Sequence, residues 1–234
     1  MKLNRKSASH IRNLLDEFTP PIIGDSQWFM YLPMKLLFKD QARTFMTLKE
    51  HALDISPTEF QKVYEQIAPV AIQRATDVND ECIAEILKSI KGKTVLEAGC
   101  GNGFLAQKLS EHYKVTATDI IIDKGLKKKY SAITFKQANI EKLPFKDKSF
   151  DTVVTTHTLE HVQNIFQSIS ELRRVTKKRL IIVVPMHRPY KYTFDLHLHF
   201  FPYPTSLVAI MGNKKNSSCI EIHGDLFYTE DKKV

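Results

Sequence analysis

Apolar and polar positions change register several times between Lys93 and Arg188, and the changes mark out strands and helices in alternation. Short β-branched and aliphatic runs predict strands at Thr94–Glu97, Val115–Thr118, Ile133–Gln137 and Asp151–Thr155. Leu180–Val184 is apolar at every position, as a central parallel strand covered on both faces requires. Between these runs the period lengthens. Asn102–His112 places Phe104, Leu105 and Leu109 on one helical face, and Val162–Val175 does the same with Ile165, Ile169 and Leu172. A helix near Thr205–Met211 precedes two short runs, Ser218–Ile222 and Leu226–Thr229, which would pair around His223-Gly224-Asp225 as a hairpin at the sheet edge. The pattern predicts an α/β fold, a doubly wound and mostly parallel seven-stranded sheet with right-handed crossovers and an antiparallel edge hairpin.

The first ninety residues read differently. Ser7–Phe18, Phe38–Ala52 and Pro57–Ile67 carry helical periodicity and are separated by Pro20-Pro21, Pro33 and Pro57. Asp80–Ile90 is a further helix, capped by Asp77 or Asn79. Between the first two helices lies Asp25–Met34, rich in aromatic residues and methionine. It is either a lid over an apolar substrate, with Trp28 and Tyr31 touching that substrate, or a set of side chains that docks the helices. The expected division is a helical extension over 1–90 and a ligand-binding domain over 91–234.

The charge balance widens the partners to be considered. The chain of 234 residues carries a formal net charge of +8. Its basic residues are scattered, apart from Lys124, Lys127, Lys128 and Lys129 and the run Lys177–Arg179, and such runs are ordinarily solvated faces. They lack the clustered, aromatic-interleaved form of a nucleic-acid-binding face, so nucleic acid is not the expected partner. Cys82, Cys100 and Cys219 are widely spaced, which fits a reducing compartment better than a disulfide framework. With no signal-peptide pattern and no apolar run of spanning length, the expected location is cytoplasmic.

The chemistry concentrates where the first strand ends. Gly99, Gly101 and Gly103 alternate in Glu97-Ala-Gly-Cys-Gly-Asn-Gly103. A glycine turn between strand and helix brings backbone N–H groups close to a ligand. Lys114–Asp119 then reads as a second strand ending in an acid, about twenty residues further on, where a βαβ nucleotide fold places a carboxylate on the ribose hydroxyls. After these come Leu143-Pro-Phe145, Phe150-Asp151 and Leu159-Glu-His161. In these ordered motifs, from about Lys93 onward, the chain resembles the class I S-adenosylmethionine-dependent methyltransferases, specifically the type 11 small-molecule branch, with its Rossmann-like sheet.

That resemblance implies a cofactor, S-adenosylmethionine with S-adenosylhomocysteine as product, and a set of residues to hold it. The loop Gly99, Cys100, Gly101 and Gly103 would approach its methionine and ribose portions, with Cys100 as a small filler. Glu97 would orient the loop or reach the amino-acid end, and Asp119, followed by Ile120, would take the ribose diol. Asn139 stands where the branch more often has an aspartate on the adenine amino group, and its carbonyl can also accept there. Ile140 would meet the adenine ring, and Thr155 would offer its carbonyl to the ammonium group. His157, just past strand four, is the candidate general base where an acceptor must lose a proton.

The stretch from Pro185 to Pro204 holds His187, Tyr192, His197 and His199, which the resemblance places on a loop lining the acceptor pocket, with Trp28 and Tyr31 from the extension. His197 and His199 form a His-x-His pair, but no carboxylate or cysteine series accompanies it at ligand spacing, and no metal is expected. The expected activity is methyl transfer to oxygen, nitrogen or carbon of a small-molecule acceptor such as a sugar, a lipid-linked intermediate or a ring metabolite. RNA methylation and a non-catalytic binding module of the same fold are the alternatives. Thr155-Thr-His-Thr158 replaces the Asn/Asp-Pro-Pro-Tyr string of many base methyltransferases, and the glycines and strand-two acid that degenerate members lose are present. A nicotinamide enzyme would show Gly-x-Gly-x-x-Gly instead. Monomer and homodimer are both left open.

Overall fold

The computed structural model describes residues 19–67, 76–192 and 196–232. The predicted helix Ser7–Phe18 lies outside them. The chain divides into two compact units, one within residues 1–74 and 189–198, the other within 75–188 and 199–234.

The second unit holds the sheet. Its strands are β1 (Thr94–Ala98), β2 (Lys114–Asp119), β3 (Thr134–Gln137), β4 (Phe150–Thr156), β5 (Thr176–Pro185), β6 (Ser217–Ile222) and β7 (Asp225–Asp231). They lie in the order β3-β2-β1-β4-β5-β7-β6, with β1 to β5 parallel and β7 antiparallel to both neighbours. The strand order reverses direction between β1 and β4. Ligands of open α/β sheets sit at such a switch point, beyond the carboxyl ends of the strands.

Alternate residues of each strand feed opposite faces. Val95, Val115, Val154, Ile181 and Val183 pack under the helices Asp80–Ser89 and Phe104–Ser110, which contribute Cys82, Ile86, Leu105 and Leu109. Leu96, Val153, Leu180, Ile182 and Val184 pack under Ile165–Val175 and Pro204–Met211, which contribute Ile169, Leu172, Leu207 and Met211. Asn79, one of the two predicted caps, caps the first of these helices: its Oδ1 accepts the Cys82 N–H at 2.7 Å. The hairpin turns on His223 and Gly224, both with positive φ as a type I′ turn needs. β7 then lies inside the sheet and β6 forms its edge.

Boundaries move where polar residues join regular structure. β5 begins at Thr176, which pairs with Phe150 of β4, and Arg179, the first residue in register with β7, is neutralised by Asp231 of that strand at 2.7 Å. The helix expected from Val162 starts at Ile165, with the Asn164 side chain accepting the Gln167 N–H, and Leu159–His161 forms a separate 3-10 turn. Lys124–Lys129 is a short helix capped by Asp123 that buries Leu126, and its lysines are exposed.

The Phe150-Asp151 motif proves to be a fastening. Asp151 Oδ2 accepts the N–H groups of Lys93 and Thr94 at 2.9 and 3.2 Å, and Oδ1 pairs with Lys178 Nζ at 3.0 Å. It ties the start of β1 to β4, and its partners hold its carboxyl well below the usual carboxylate range.

The first unit is helical, with α1 (Gln27–Phe38), α2 (Ala42–His51) and α3 (Pro57–Ile67). Its core gathers Met30, Met34, Phe38, Phe45, Met46 and Phe60 with Tyr192 and Leu196, and the Phe38 and Phe45 rings stack at 3.8 Å. The aromatic segment is helical from Gln27 onward, as part of α1, and Pro33, expected to separate helices, lies inside that helix. Packing of Met30, Met34 and Phe38 outweighs the single backbone hydrogen bond that proline forgoes. No helix among the described residues is long and apolar enough to cross a membrane.

Asp151→Ala is expected to lower unfolding free energy in urea by about 1.5–3 kcal/mol, the usual worth of charge-assisted hydrogen bonds. Because its folded pKa is depressed, this stabilisation is present above the ordinary aspartate pKa near ~3.9 and fades as pH falls below it. An unchanged urea midpoint at neutral pH would contradict the assignment.

Candidate functional site

The loop after β1 is built by hydrogen bonds to the end of β2. The N–H groups of Gly99 and Cys100 both donate to Thr118 O, at 2.7 and 2.9 Å. Gly101 N–H donates to Asp119 Oδ2 at 2.8 Å, and Ile121 N–H donates to Oδ1 at 3.1 Å. The glycines are needed for different reasons. At Gly99 (φ +83°) a Cβ would fall 2.0 Å from Thr158 Oγ1, so the loop and the turn after β4 touch backbone to side chain. At Gly101 (φ +48°) an added Cβ would meet nothing within 4 Å, so the backbone there borders open space.

Two acids stand under this loop. Glu97 is 2% exposed, and its Oε2 has no hydrogen-bond partner. Burial pushes its pKa well up, the charge of Asp119 adds to the shift, and the Ala106 N–H in the following helix opposes it. Burial likewise raises Asp119, against the N–H groups of Gly101, Ile121 and Ile120 and the nearby charge of His161. An acid that keeps a buried oxygen unpartnered beside a second raised acid suits a ligand bringing positive charge and hydroxyl donors.

The other predicted cofactor residues divide between backbone and side-chain roles. Cys100 and Ile140 send their side chains into the two sheet cores, so backbone is what they present. The Cys100 thiol is pushed far up by burial and by both acids, and stays protonated. Ile120 is held by Gln137 Nε2, which donates to its carbonyl at 2.7 Å. Asn139 Oδ1 accepts the Glu141 N–H at 2.8 Å, which fixes the amide's orientation. Thr155 ends in a buried Oγ1 without a partner.

Beyond β4 the backbone turns sharply. His157 takes a left-handed conformation (φ 47°) and its N–H donates to Val183 O at 2.9 Å. Its Nε2 lies 3.1 Å from Asp225 Oδ1, and its Nδ1 lies 3.7 Å from Glu160 Oε1. Burial works against the imidazolium, but Asp225, Glu160 and Asp77 together outweigh it and raise its pKa. Asp225 is held in turn by Asn79 Nδ2 at 2.9 Å. Glu160 is wholly buried with both carboxylate oxygens lacking a hydrogen-bond partner; burial raises its pKa, opposed by His161 and His157. His157 therefore lies between two carboxylates, with Nε2 buried beside Asp225. It is one link in a line from Asn79 through Asp225 to Glu160.

Glu160, Asp225 and Asn79 were not singled out for this site by sequence reasoning. Asn79 and Asp225 lie 146 residues apart, and no local pattern announces their bond. Glu160 was visible only as the middle of Leu159-Glu-His161.

The predicted acceptor-lining residues separate. Trp28 is 81% exposed and Tyr31 39%. Tyr192 and His197 are buried in the helical unit, Tyr192 within its core. His187 is half-buried. His199 is anchored to the turn after β4: its N–H donates to Glu160 O at 3.0 Å, and its Nε2 lies 2.8 Å from Val162 O.

Residues 96–184 match the family described as a methyltransferase domain. A 127-residue stretch is 36% identical to an uncharacterized protein of Methanocaldococcus jannaschii, covering 50% of this chain and 54% of that protein. The ubiquinone biosynthesis O-methyltransferase of Rickettsia prowazekii is 32% identical, over 53% and 54% of the two chains. The 2-phytyl-1,4-naphtoquinone methyltransferase of Nostoc punctiforme is 28% identical, over 56% and 66%. The chain thus spans between about half and two thirds of the length of these relatives. Among solved structures, the Burkholderia thailandensis 1,6-didemethyltoxoflavin-N1-methyltransferase superposes with a TM-score of 0.60 at 16% identity, covering 77% of this chain and 92% of that one. That protein was solved with 1,6-didemethyltoxoflavin and S-adenosylhomocysteine bound.

Glu97, Asp119, Glu160 and His157 all have raised folded pKa values. The folded protein then binds more protons than the unfolded chain, and its stability falls as pH rises. We expect the Tm of the ligand-free protein to fall between about pH 5 and 8, and Glu97→Gln to flatten that decline. A Tm that rises across this interval would contradict the assignment.

Proposed function

The chain carries a methyltransferase domain over residues 96–184, and on that premise we propose that it binds S-adenosylmethionine at the glycine loop and transfers a methyl group to a small-molecule acceptor. The acceptor atom is oxygen, nitrogen or carbon, and S-adenosylhomocysteine is the product. The observation that carries this reading is the pair of acids under the loop, with Glu97 Oε2 buried and unpartnered beside Asp119. A ligand with an ammonium group, a sulfonium centre and two ribose hydroxyls complements that pair in charge and in donors. When bound, the cofactor supplies an electrophilic methyl group.

The chain's own residues do the rest. Asp119 holds the loop through Gly101 and Ile121 and keeps lone pairs for the ribose hydroxyls. Glu97 and the buried Thr155 hydroxyl face the amino-acid end, and Asn139 with the Ile140 backbone faces the base. Alignment and exclusion of water supply much of the acceleration of a displacement, up to roughly 7–11 kcal/mol in well-oriented cases.

Where the acceptor carries a proton, Glu160 receives it. Its burial raises its affinity for a proton, and its oxygens are not committed to other donors. His157 is a positioning residue, held from Asp225 and orienting the Glu160 carboxylate. The relatives named for 2-phytyl-1,4-naphtoquinone and ubiquinone biosynthesis put ring acceptors first in a screen.

Two experiments test these assignments. Asp119→Ala is expected to weaken S-adenosylhomocysteine binding by about tenfold or more, near 1.4 kcal/mol per decade, in calorimetric titration; unchanged affinity would overturn the site. In a labelled-methyl assay over the acceptor screen, Glu160→Gln is expected to cost about 10²–10⁴ in turnover with cofactor affinity kept. His157→Asn should instead shift the pH profile and cost less. Full activity in both variants would mean that no general base operates.

A further inference from the structure

Residues 138–148, between β3 and β4, form neither strand nor helix, yet their backbone is held at several points. At the start, the Ala138 N–H donates to the carbonyl of Asp119 at 2.9 Å. A tight turn follows, in which the Lys142 N–H donates to Asn139 O at 3.0 Å and Asn139 Oδ1 accepts the Glu141 N–H at 2.8 Å. The turn is pinned at Glu141, whose Oε1 accepts the N–H of Asn164 at 2.9 Å. Next stands Leu143, only 4% exposed, whose buried backbone groups need partners.

Two side chains of the helix Ile165–Val175 supply them. Glu171 Oε2 accepts the Leu143 N–H at 2.7 Å, and Arg174 Nη2 donates to the Leu143 carbonyl at 3.0 Å. Arg174 Nε and Nη2 also donate to the two oxygens of Glu171, at 2.6 and 2.8 Å. Its Nη1 donates to Phe145 O at 2.7 Å and to Asp147 Oδ1 at 2.9 Å. Together these bonds use every N–H donor of a guanidinium. Glu171 is buried, and Arg174 foremost, with the Leu143 N–H, holds its carboxyl below the usual carboxylate range against that burial. The Lys148 N–H then returns to the Arg174 carbonyl at 2.8 Å. An apolar contact alone would let such a loop slide, whereas a planar fork with all its donors committed fixes its register.

The loop therefore runs from the acid assigned to the ribose hydroxyls to a fixed point on the helix, and Asn139 and Ile140 lie between the two. Resting on the methyl-transfer reading, we propose that Glu171 and Arg174 are positioning residues, which set where Asn139 and Ile140 present their polar groups and so govern recognition of the cofactor's adenine edge. They act through the backbone of Leu143 and not on the methyl group.

The test is calorimetric titration of S-adenosylhomocysteine and S-inosylhomocysteine against the full-length native chain, Arg174→Lys and Glu171→Gln. The inosine base carries a carbonyl in place of adenine's exocyclic amino group and an N–H in place of the neighbouring ring acceptor. That reverses donor and acceptor on the edge that Asn139 and Ile140 would read. Arg174→Lys keeps a positive charge beside Glu171 without the planar fork, and Glu171→Gln keeps an acceptor for the Leu143 N–H. Stoichiometry reports the folded fraction, so partial unfolding does not mimic a change of preference. The native chain is expected to prefer the adenine ligand by about tenfold. Arg174→Lys should bind that ligand about tenfold more weakly and the inosine ligand about as before, so that the preference disappears. Glu171→Gln should show the same loss to a smaller extent. Equal weakening of both ligands, or an unchanged preference in both variants, would overturn the proposal and leave the methyl-transfer reading standing. So would a native chain that binds the two ligands equally. Binding of neither ligand by the native chain would overturn both.

Discussion

The methyl-transfer reading of this protein depends on how the loop after β1 is fastened to the end of β2. Thr118 O accepts two successive N–H groups of the loop, and the Asp119 carboxylate accepts a third. Parallel pairing of β1 with β2 brings Ala98 level with Thr118, which puts the glycines beside that carbonyl and that acid. The backbone is thereby drawn into a tight arch with positive φ at each glycine. The carboxylate proposed to recognise a ligand is also a member of the arch. Site and scaffold share atoms.

Burial follows from this arrangement, and the electrostatics follow from burial. Glu97 projects from β1 beneath the arch and has one oxygen without a partner, while Asp119 stands close enough to raise it further. Such a pair costs stability in the ligand-free protein and is repaired by a ligand with positive charge. A second set of buried titratable groups follows the neighbouring strand β4, where His157 lies between Asp225 at the start of β7 and Glu160 in the 3-10 turn. Gly99 and Thr158 join the two sets, since a side chain at Gly99 would strike the Thr158 hydroxyl.

The sheet was largely legible in the sequence, because strands buried on both faces must be continuous apolar runs. β5 shows the limit: Thr176–Arg179 is polar, and only pairing with distant segments, β4 from Thr176 and β7 from Arg179, makes it strand. α1 shows another. Pro33 and the aromatic cluster around it read as a break, and the methionine stripe that packs the helix into its core decided otherwise. At the site, the glycines and Asp119 were readable from their spacing. The structural share of Asp119 was not, and neither was the Asn79–Asp225–His157 line, because those contacts join β7 and the first helix of the sheet unit to the end of β4. Local patterns carry period and turn chemistry; they carry no information about contacts between distant strands.

The central claim is that the acids under the glycine arch are held for a cationic ligand. The measurement that tests it most directly is calorimetric titration of S-adenosylhomocysteine at about pH 6 in buffers of different ionisation enthalpy, for the native chain and for Glu97→Gln. The account predicts that binding to the native chain releases protons, because the ammonium group favours ionised carboxylates, and that Glu97→Gln binds more weakly and releases fewer. Binding with no proton release and equal affinity in both proteins would contradict it.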